Sequence, residues 1–218
     1  MFVGHYGPAF ALKRWAPSTP LIALFLGVQL VDIAWAIFVL AGIEHVRIVP
    51  GITETNALDL FYMPYTHGLV AGLLWSVAAG AVTWLATRRQ SLRPAIAVAL
   101  AVLSHWLLDL IMHRRDLPIF DDSYKVGLGL WHHRWPALAL ELVTLWAGLV
   151  LYARGTRARD RIGGLGLWIF GVALAATQVI LLLGEAPPTP SATAASALAG
   201  YIVLAVVAWW IDRHRERR

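Results

Sequence analysis

The chain has 218 residues, of which 59% are hydrophobic and only 14% are charged, and its mean hydropathy is +0.64. Soluble domains carry about 25% charged residues, so this composition excludes an ordinary water-soluble domain and predicts a protein whose first partner is the lipid bilayer. The net charge of +5 comes from short basic clusters between apolar runs, which is the pattern of membrane loops, so no nucleic-acid partner is expected.

The first predicted element is a short apolar segment at residues 2–15. It ends in the basic pair Lys13 and Arg14 and is followed by a turn at residues 17–20. The segment is too short to cross a bilayer and has no small-residue cleavage site, so we do not interpret it as a signal peptide. We predict a half-helix or re-entrant segment whose basic end lies at the cytoplasmic surface.

Six longer apolar stretches follow, and each is close to the ~20 residues that a helix needs to cross the hydrocarbon core. They cover residues 21–43, 67–87, 92–113, 136–153, 162–183 and 195–211. The predicted fold class is therefore all-α, a polytopic membrane helix bundle of about six transmembrane helices plus the N-terminal half-helix. We expect a single transmembrane domain over residues 1–218, with the functional core in 1–153 and two scaffold helices in 154–218.

Basic residues are unequally divided between the two sets of loops. With both termini cytoplasmic, the inner segments hold 13 of the 18 Lys and Arg, among them Arg88, Arg89 and Arg93, and the outer loops hold 5. Because Lys and Arg accumulate in cytoplasmic loops, we predict a multi-pass protein with both termini in the cytoplasm. The oligomeric state is not indicated by the sequence.

Ionisable side chains inside membrane segments are costly, so each one needs a partner or a function. The predicted segments contain a short set of them: His5, Asp32, His67, His105, Asp109, His113 and Glu141. His105 and Asp109 are four residues apart, so they share one helix face and can bind a single ion. A His/Asp hydrogen bond that packs two helices explains that spacing equally well.

Depth along the helices adds information that spacing lacks. At 1.5 Å per residue, Asp32 and the His105/Asp109 pair lie at similar depths in spans that run in the same direction. A half-helix would raise His5 ~12 Å above Lys13, toward the same level. Because the chain has no cysteine, a metal bound there must use nitrogen and oxygen ligands, a set that suits Zn²⁺, with Mn²⁺ or Fe²⁺ as alternatives.

Two further histidines, His132 and His133, lie between Trp131 and Trp135 before the fourth span. Histidine and tryptophan are common at membrane interfaces, and this interpretation is favoured for the pair. Whether His113, His132 or His133 belongs to a metal site stays open at this point.

Four motifs in the first half of the chain resemble one known family. They are VGHY at residues 3–6, LVDI at 30–33, PYTHGL at 64–69 and SHWLLD at 104–109. Their order and spacing resemble the bacterial family of small membrane-bound metal-dependent hydrolases. The resemblance implies a bacterial inner (plasma) membrane and a divalent metal held by five ligands, which are His5, Asp32, His67, His105 and Asp109. This is the set that depth also selects.

The chain departs from the pattern of that family at three places. A single Asp32 stands where the family has Asp-Ile-Asp, Gly68 replaces a serine after the histidine, and no arginine precedes Tyr65. These departures argue against a second metal. Residues 113–118, HRRDLP, also resemble a feature of an uncharacterised subgroup of such proteins.

The favoured functional hypothesis is a metal-dependent hydrolase in which the metal activates a water molecule. Asp109 or Glu141 would act as the catalytic carboxylate, and Arg114 and Arg115 would bind a phosphate or carboxylate of the substrate. The depth of the site suggests a lipid-like substrate. The alternatives are a divalent-cation or proton-coupled transporter, against which no paired repeats are visible, and a structural subunit of a membrane complex whose His/Asp set is a hydrogen-bonded core.

Overall fold

The computed structural model describes residues 1–88 and 90–218, so Arg89, counted above among the inner basic residues, lies outside the described residues. The all-α prediction is confirmed. The helices are α1 (Tyr6–Trp15), α2 (Leu21–Val28), α3 (Leu30–Leu40), α4 (Leu69–Ala86), α5 (Leu92–Met112), α6 (Arg134–Gly155), α7 (Leu167–Leu183) and α8 (Pro190–Arg213). Within the described ranges, five helices are long and apolar enough to cross a membrane, and α2 with α3 makes a sixth span if the pair is counted as one.

The N-terminal half-helix is present and lies inside the bundle. A 3-10 turn at Val3–His5 leads into α1, which packs along α6. The two backbones approach so closely that a Cβ atom on Gly148 would lie 2.0 Å from the carbonyl oxygen of Gly7. Small residues permit such close helix contacts in membrane proteins. As a result, His5 and Phe10 are fully buried instead of lying at the membrane surface.

The first predicted span is a broken helix, which the sequence pattern did not predict. Helices α2 and α3 meet at Gln29 with a bend of 54°. Gln29 has non-helical backbone angles (φ −108°, ψ 7°), so the Val28 carbonyl loses its place in a continuous helical ladder. It accepts a hydrogen bond from Nδ1 of His105 at 2.6 Å instead. The break thus supplies a backbone acceptor to the interior of the bundle.

Short antiparallel strand pairs occupy the two ends of the bundle, where loops were expected. Strands β1 (His45–Ile48) and β2 (Leu58–Tyr62) pair in a register that places Arg47 opposite Asp59. We call the end that carries them, together with residues 113–133, the hairpin side. Strands β3 (Thr156–Ala158) and β4 (Arg215–Arg217) pair at the other end, the basic side.

Helix α4 shows how the bundle separates a packed face from a membrane-facing one. Gly72, Ser76 and Gly80 are its buried residues, and the Ser76 hydroxyl donates to the Ala99 carbonyl of α5 at 2.7 Å. Leu74 and Val77 are 67% and 68% exposed. Such large apolar side chains exposed along a helix of this length are expected to contact lipid.

Candidate metal centre

The structure brings together all five residues that the sequence proposed as ligands. Helix α5 carries His105 and Asp109 one turn apart, α3 carries Asp32 just after the break, His67 lies two residues before α4, and His5 ends the N-terminal turn. All but Asp32 are buried, and the Asp32 side chain is 14% exposed. Two overlapping triads have donor atoms within 4.8 Å of one another: His5, His105 and Asp109, and Asp32, His67 and His105.

The distances between donor atoms fit a shared ion. Oδ2 of Asp109 lies 3.0 Å from Nε2 of His105 and 3.9 Å from Nε2 of His67. Oδ1 of Asp32 lies 3.2 Å from Nε2 of His67 and 3.7 Å from Nε2 of His105. Bonds of ~2.0 to 2.2 Å to one metal separate two ligand atoms by about 3.0 to 4.2 Å for angles between 90° and 180°. All four distances fall in this range.

In each of these rings, the hydrogen-bond partner of Nδ1 determines whether Nε2 has a lone pair available for an ion. Nδ1 of His105 contacts the Val28 carbonyl oxygen, which can only accept, so Nδ1 donates the proton. In the neutral ring, Nε2 then carries a lone pair and faces the carboxylate of Asp109 at 3.0 Å without forming a hydrogen bond. Two acceptors in contact repel each other unless a cation or a proton lies between them.

His67 is oriented in the same way by two buried residues that the sequence did not single out. The Thr66 hydroxyl donates to Oε2 of Glu44 at 2.6 Å and accepts from Nδ1 of His67 at 2.8 Å. With Glu44 ionised, Nδ1 of His67 carries the ring proton, and the Nε2 lone pair faces Oδ1 of Asp32, 3.2 Å away. Burial raises the pKa of Glu44, whereas the Thr66 hydroxyl and the amides of Tyr65 and Thr66 donate to its carboxylate and act in the opposite direction.

His5 approaches His105 as the half-helix hypothesis predicted, but it faces a different oxygen of Asp109. Its ring stacks on His105 with centroids 3.8 Å apart, and Nε2 lies 3.2 Å from Oδ1 of Asp109. The Met1 amino group donates to the same oxygen at 2.7 Å. Neither ring nitrogen of His5 forms a hydrogen bond within the described ranges.

Glu141 lies beside this turn and accepts two backbone hydrogen bonds. Its Oε1 accepts from the amide of Phe2 at 2.8 Å and its Oε2 from the amide of Gly4 at 2.7 Å. Glu141 therefore caps the N-terminal turn from α6 and fixes the height of His5.

The other proposed residues lie on the hairpin side. His113 ends α5, and its Nε2 is 3.6 Å from Oδ2 of Asp109. Arg114 is bonded to Asp59 of β2 and lies near Asp116, whereas Arg115 is exposed. The structure leaves His132 and His133 exposed.

One residue of α8 also reaches the site. The Tyr201 hydroxyl donates to Oδ2 of Asp32 at 3.0 Å, although residues 154–218 were expected to supply scaffold only. A lone tyrosine inside an apolar helix was the available signal, since a buried hydroxyl needs a partner. Thr66 is adjacent to His67 in the sequence, but nothing in the sequence marks Glu44.

Comparisons with known proteins do not identify a relative. No family model matches the chain, and neither the curated proteins nor the solved structures give a match. Function must therefore be argued from the geometry of this site.

Proposed function

We propose that the chain is a membrane-embedded, metal-dependent hydrolase. The observation that supports it is that two buried ring nitrogens face carboxylate oxygens, Nε2 of His105 with Asp109 at 3.0 Å and Nε2 of His67 with Asp32 at 3.2 Å. Burying such pairs with neither a cation nor a proton between them is unfavourable, and neutral imidazole with carboxylate is a common donor set for Zn²⁺. Mn²⁺ and Fe²⁺ use the same donors.

Each residue has a distinct part in this proposal. His67, His105, Asp32 and Asp109 hold the ion, while the Val28 carbonyl and the Thr66 hydroxyl orient the two rings. A divalent metal bound there would lower the pKa of a water molecule toward ~7 and polarise the bond to be cleaved. Asp109 keeps its Oδ1 on the side of His5, where this oxygen accepts from the Met1 amino group. Glu141, with both oxygens on backbone amides, positions His5.

The location of the site favours a lipid-like substrate. The donors lie between spans of the bundle, and the one partly exposed carboxylate, Asp32, belongs to a membrane-spanning segment. Arg115, exposed on the hairpin side, is available for an anionic head group, whereas Arg114 is already bonded to Asp59. Head-group recognition is therefore assigned to Arg115 rather than to both arginines.

A divalent-cation carrier is the second candidate, and one observation favours it. The span that carries Asp32 is broken at Gln29, and ion sites of secondary transporters are often built at broken helices. Here, however, the Val28 carbonyl freed by the break is bonded to His105. It orients a ligand and does not face the ion, which is why hydrolysis is the preferred function.

The test combines metal content with two activities. Purified protein in detergent is expected to retain about one equivalent of metal, which His105→Ala removes and which His45→Ala and His214→Ala leave in place. With Zn²⁺ bound, p-nitrophenyl esters and phosphate diesters should be hydrolysed by the wild type and not by His105→Ala. Flux of Zn²⁺ into proteoliposomes without hydrolysis would select the carrier, and equal metal loss in all three variants would mean adventitious metal.

The proposed orientation places both termini in the cytoplasm of a bacterial inner membrane. Ser123 and Ser91 are exposed, and they lie on the hairpin side and at the start of α5 respectively. Since the chain has no cysteine, single cysteines at these positions can be labelled selectively. Ser123→Cys should react with an impermeant maleimide on intact cells and Ser91→Cys only after permeabilisation. The reverse pattern would invert the orientation.

A further inference from the structure

We propose that His113 is a further ligand of the same metal. Its ring is held in place by the side chain of Asp116, which is in turn paired with Arg114. This inference rests on the proposed metal centre and adds to it the residues that connect it to the hairpin side. It also changes the expected role of Arg114 from substrate binding to positioning.

The position of His113 follows from the end of α5. Its amide donates to the Asp109 carbonyl at 2.8 Å, which completes the last helical turn and places the two side chains on the same face. The backbone then turns extended (φ −65°, ψ 146°), so His113 is the last residue that α5 can direct at the site. Its side chain is 3% exposed.

As in His105 and His67, the hydrogen-bond partner of Nδ1 determines whether Nε2 of His113 has a lone pair. Nδ1 of His113 lies 2.9 Å from Oδ1 of Asp116, a carboxylate oxygen that accepts the ring proton. Nε2 of His113 is left with a lone pair at 3.6 Å from Oδ2 of Asp109. This is the third imidazole whose lone pair faces a carboxylate, and 3.6 Å is within the spacing of two ligands on one ion.

The Asp116 carboxylate is itself supported. Nε of Arg114 lies 3.2 Å from its Oδ2, and the same guanidinium is bonded to Asp59 of β2. A carboxylate behind a ligand histidine fixes its orientation and raises its basicity. On the other side, the buried Trp131 ring lies 3.9 Å from the His113 ring, centroid to centroid, and shields it from water.

The donor set that results is three imidazoles and two carboxylates, with Asp32 beside His67 and His105. The imidazoles are oriented by three different outer groups: the Val28 carbonyl, the Thr66 hydroxyl and the Asp116 carboxylate. Oδ2 of Asp109 is common to all three, at 3.0, 3.9 and 3.6 Å from His105, His67 and His113. His5 lies at the other oxygen of Asp109 and belongs to the overlapping triad with His105 and Asp109.

The experiment compares four proteins in detergent: wild type, His113→Ala, Asp116→Asn and the control His132→Ala, whose histidine is exposed in the same loop. Zn²⁺ affinity is measured by competition with a chromophoric chelator, and Co²⁺ is used for its visible spectrum. His113→Ala should weaken Zn²⁺ binding by at least about 100-fold, and Asp116→Asn by ~10- to 100-fold, as loss of a supporting carboxylate does elsewhere. His132→Ala should match the wild type.

The Co²⁺ spectrum distinguishes a ligand from a structural residue. Removing one ligand lowers the coordination number, so the d–d bands of His113→Ala should intensify and shift, whereas destabilisation alone would leave the spectrum of the bound fraction unchanged. Asp116→Asn keeps the His113 imidazole, so it tests whether His113 is a ligand even if His113→Ala does not fold. Wild-type affinity and spectrum in either folded variant would overturn this inference alone. A wild type that binds neither Zn²⁺ nor Co²⁺ would overturn the proposed function with it.

Discussion

Two largely buried polar clusters lie toward opposite ends of the bundle, and α1 connects them. His5, just before α1, is in the metal-centre cluster, and Lys13 near the end of α1 is in a cluster around Asp212 of α8. The metal-centre cluster consists of the five proposed ligands, His5, Asp32, His67, His105 and Asp109. There, Oδ1 of Asp212 accepts from the Tyr152 hydroxyl at 2.7 Å, and Oδ2 pairs with Nζ of Lys13 at 2.9 Å and accepts from the Leu21 amide at 3.3 Å. Every one of these contacts joins a donor to an acceptor.

Both clusters contain buried or partly buried aspartates, but they differ in whether their polar atoms have hydrogen-bond partners. The Asp212 cluster ties α1, α2, α6 and α8 together with balanced charge, which is what a structural ion pair requires. The metal-centre cluster has ring nitrogens opposite carboxylate oxygens, with Nε2 of His105 and both nitrogens of His5 lacking hydrogen bonds within the described ranges. Buried polarity that is left incomplete points to a ligand, whereas complete pairing points to stability.

The largest expected effect comes from the Asp212 cluster. Asp212→Asn leaves the mostly buried Lys13 ammonium, 11% exposed, without its counter-charge. Breaking a buried ion pair in this way should lower the free energy of unfolding by about 3 kcal/mol. Asp32→Asn is the matched substitution in the other cluster. It should remove bound metal but change the free energy of unfolding of the metal-free protein only slightly. Unfolding curves and metal content of both variants test this, and a shared loss of metal would break the distinction between the clusters.

Metal binding should stabilise the folded protein through one cluster only. At a free Zn²⁺ concentration of 100 times Kd, the wild type should gain about 2.7 kcal/mol, reversibly with chelator. Asp212→Asn should show the same gain from its lower starting point, and Asp32→Asn should show a much smaller one. Thermal unfolding in detergent, with and without Zn²⁺, measures this. An equal gain in all three proteins would mean that Zn²⁺ binds elsewhere.

A substitution at the contact between α1 and α6 should affect both clusters, because Lys13 lies on α1 and His5 directly precedes it. Gly148→Ala places a Cβ atom against the Gly7 backbone and should cost about 2 kcal/mol of stability, as overpacking does, while also weakening Zn²⁺ binding. Gly200→Ala is the control, since a Cβ atom there meets nothing within 4 Å. If Gly148→Ala behaved like Gly200→Ala in both measurements, the close packing of the half-helix would be refuted.

The smallest expected effect concerns the hydroxyl that orients His67. Thr66→Val keeps the shape of the side chain but removes the link between Glu44 and the ring, so Zn²⁺ affinity should fall about tenfold, or about 1.4 kcal/mol. Thr66→Ser keeps the hydroxyl and should bind Zn²⁺ like the wild type. Chelator competition resolves a difference of this size. Equal affinities for valine and serine variants would show that the ring orients itself without Thr66.

The sequence by itself determined the class of fold and most of the candidate ligands. Apolar length and the positions of charged residues predict helices because the bilayer leaves few other solutions for a polar backbone. The four-residue spacing of His105 and Asp109 predicts a shared face because helix geometry is local. Depth along each helix, which is also a local quantity, was enough to group these two with Asp32 and, through the half-helix, with His5.

Only the tertiary structure decided how those residues are oriented and which others join them. The Val28 carbonyl and His105 are 77 residues apart, and Tyr201 and Asp32 are 169 apart, so no local pattern connects them. The break at Gln29 and the turn of the chain from His113 to Asp116 likewise depend on packing and on hydrogen bonds that form only in the assembled bundle. Which nitrogen of a neutral imidazole keeps its lone pair depends on the hydrogen bond that the other nitrogen makes, and that bond is a property of the fold.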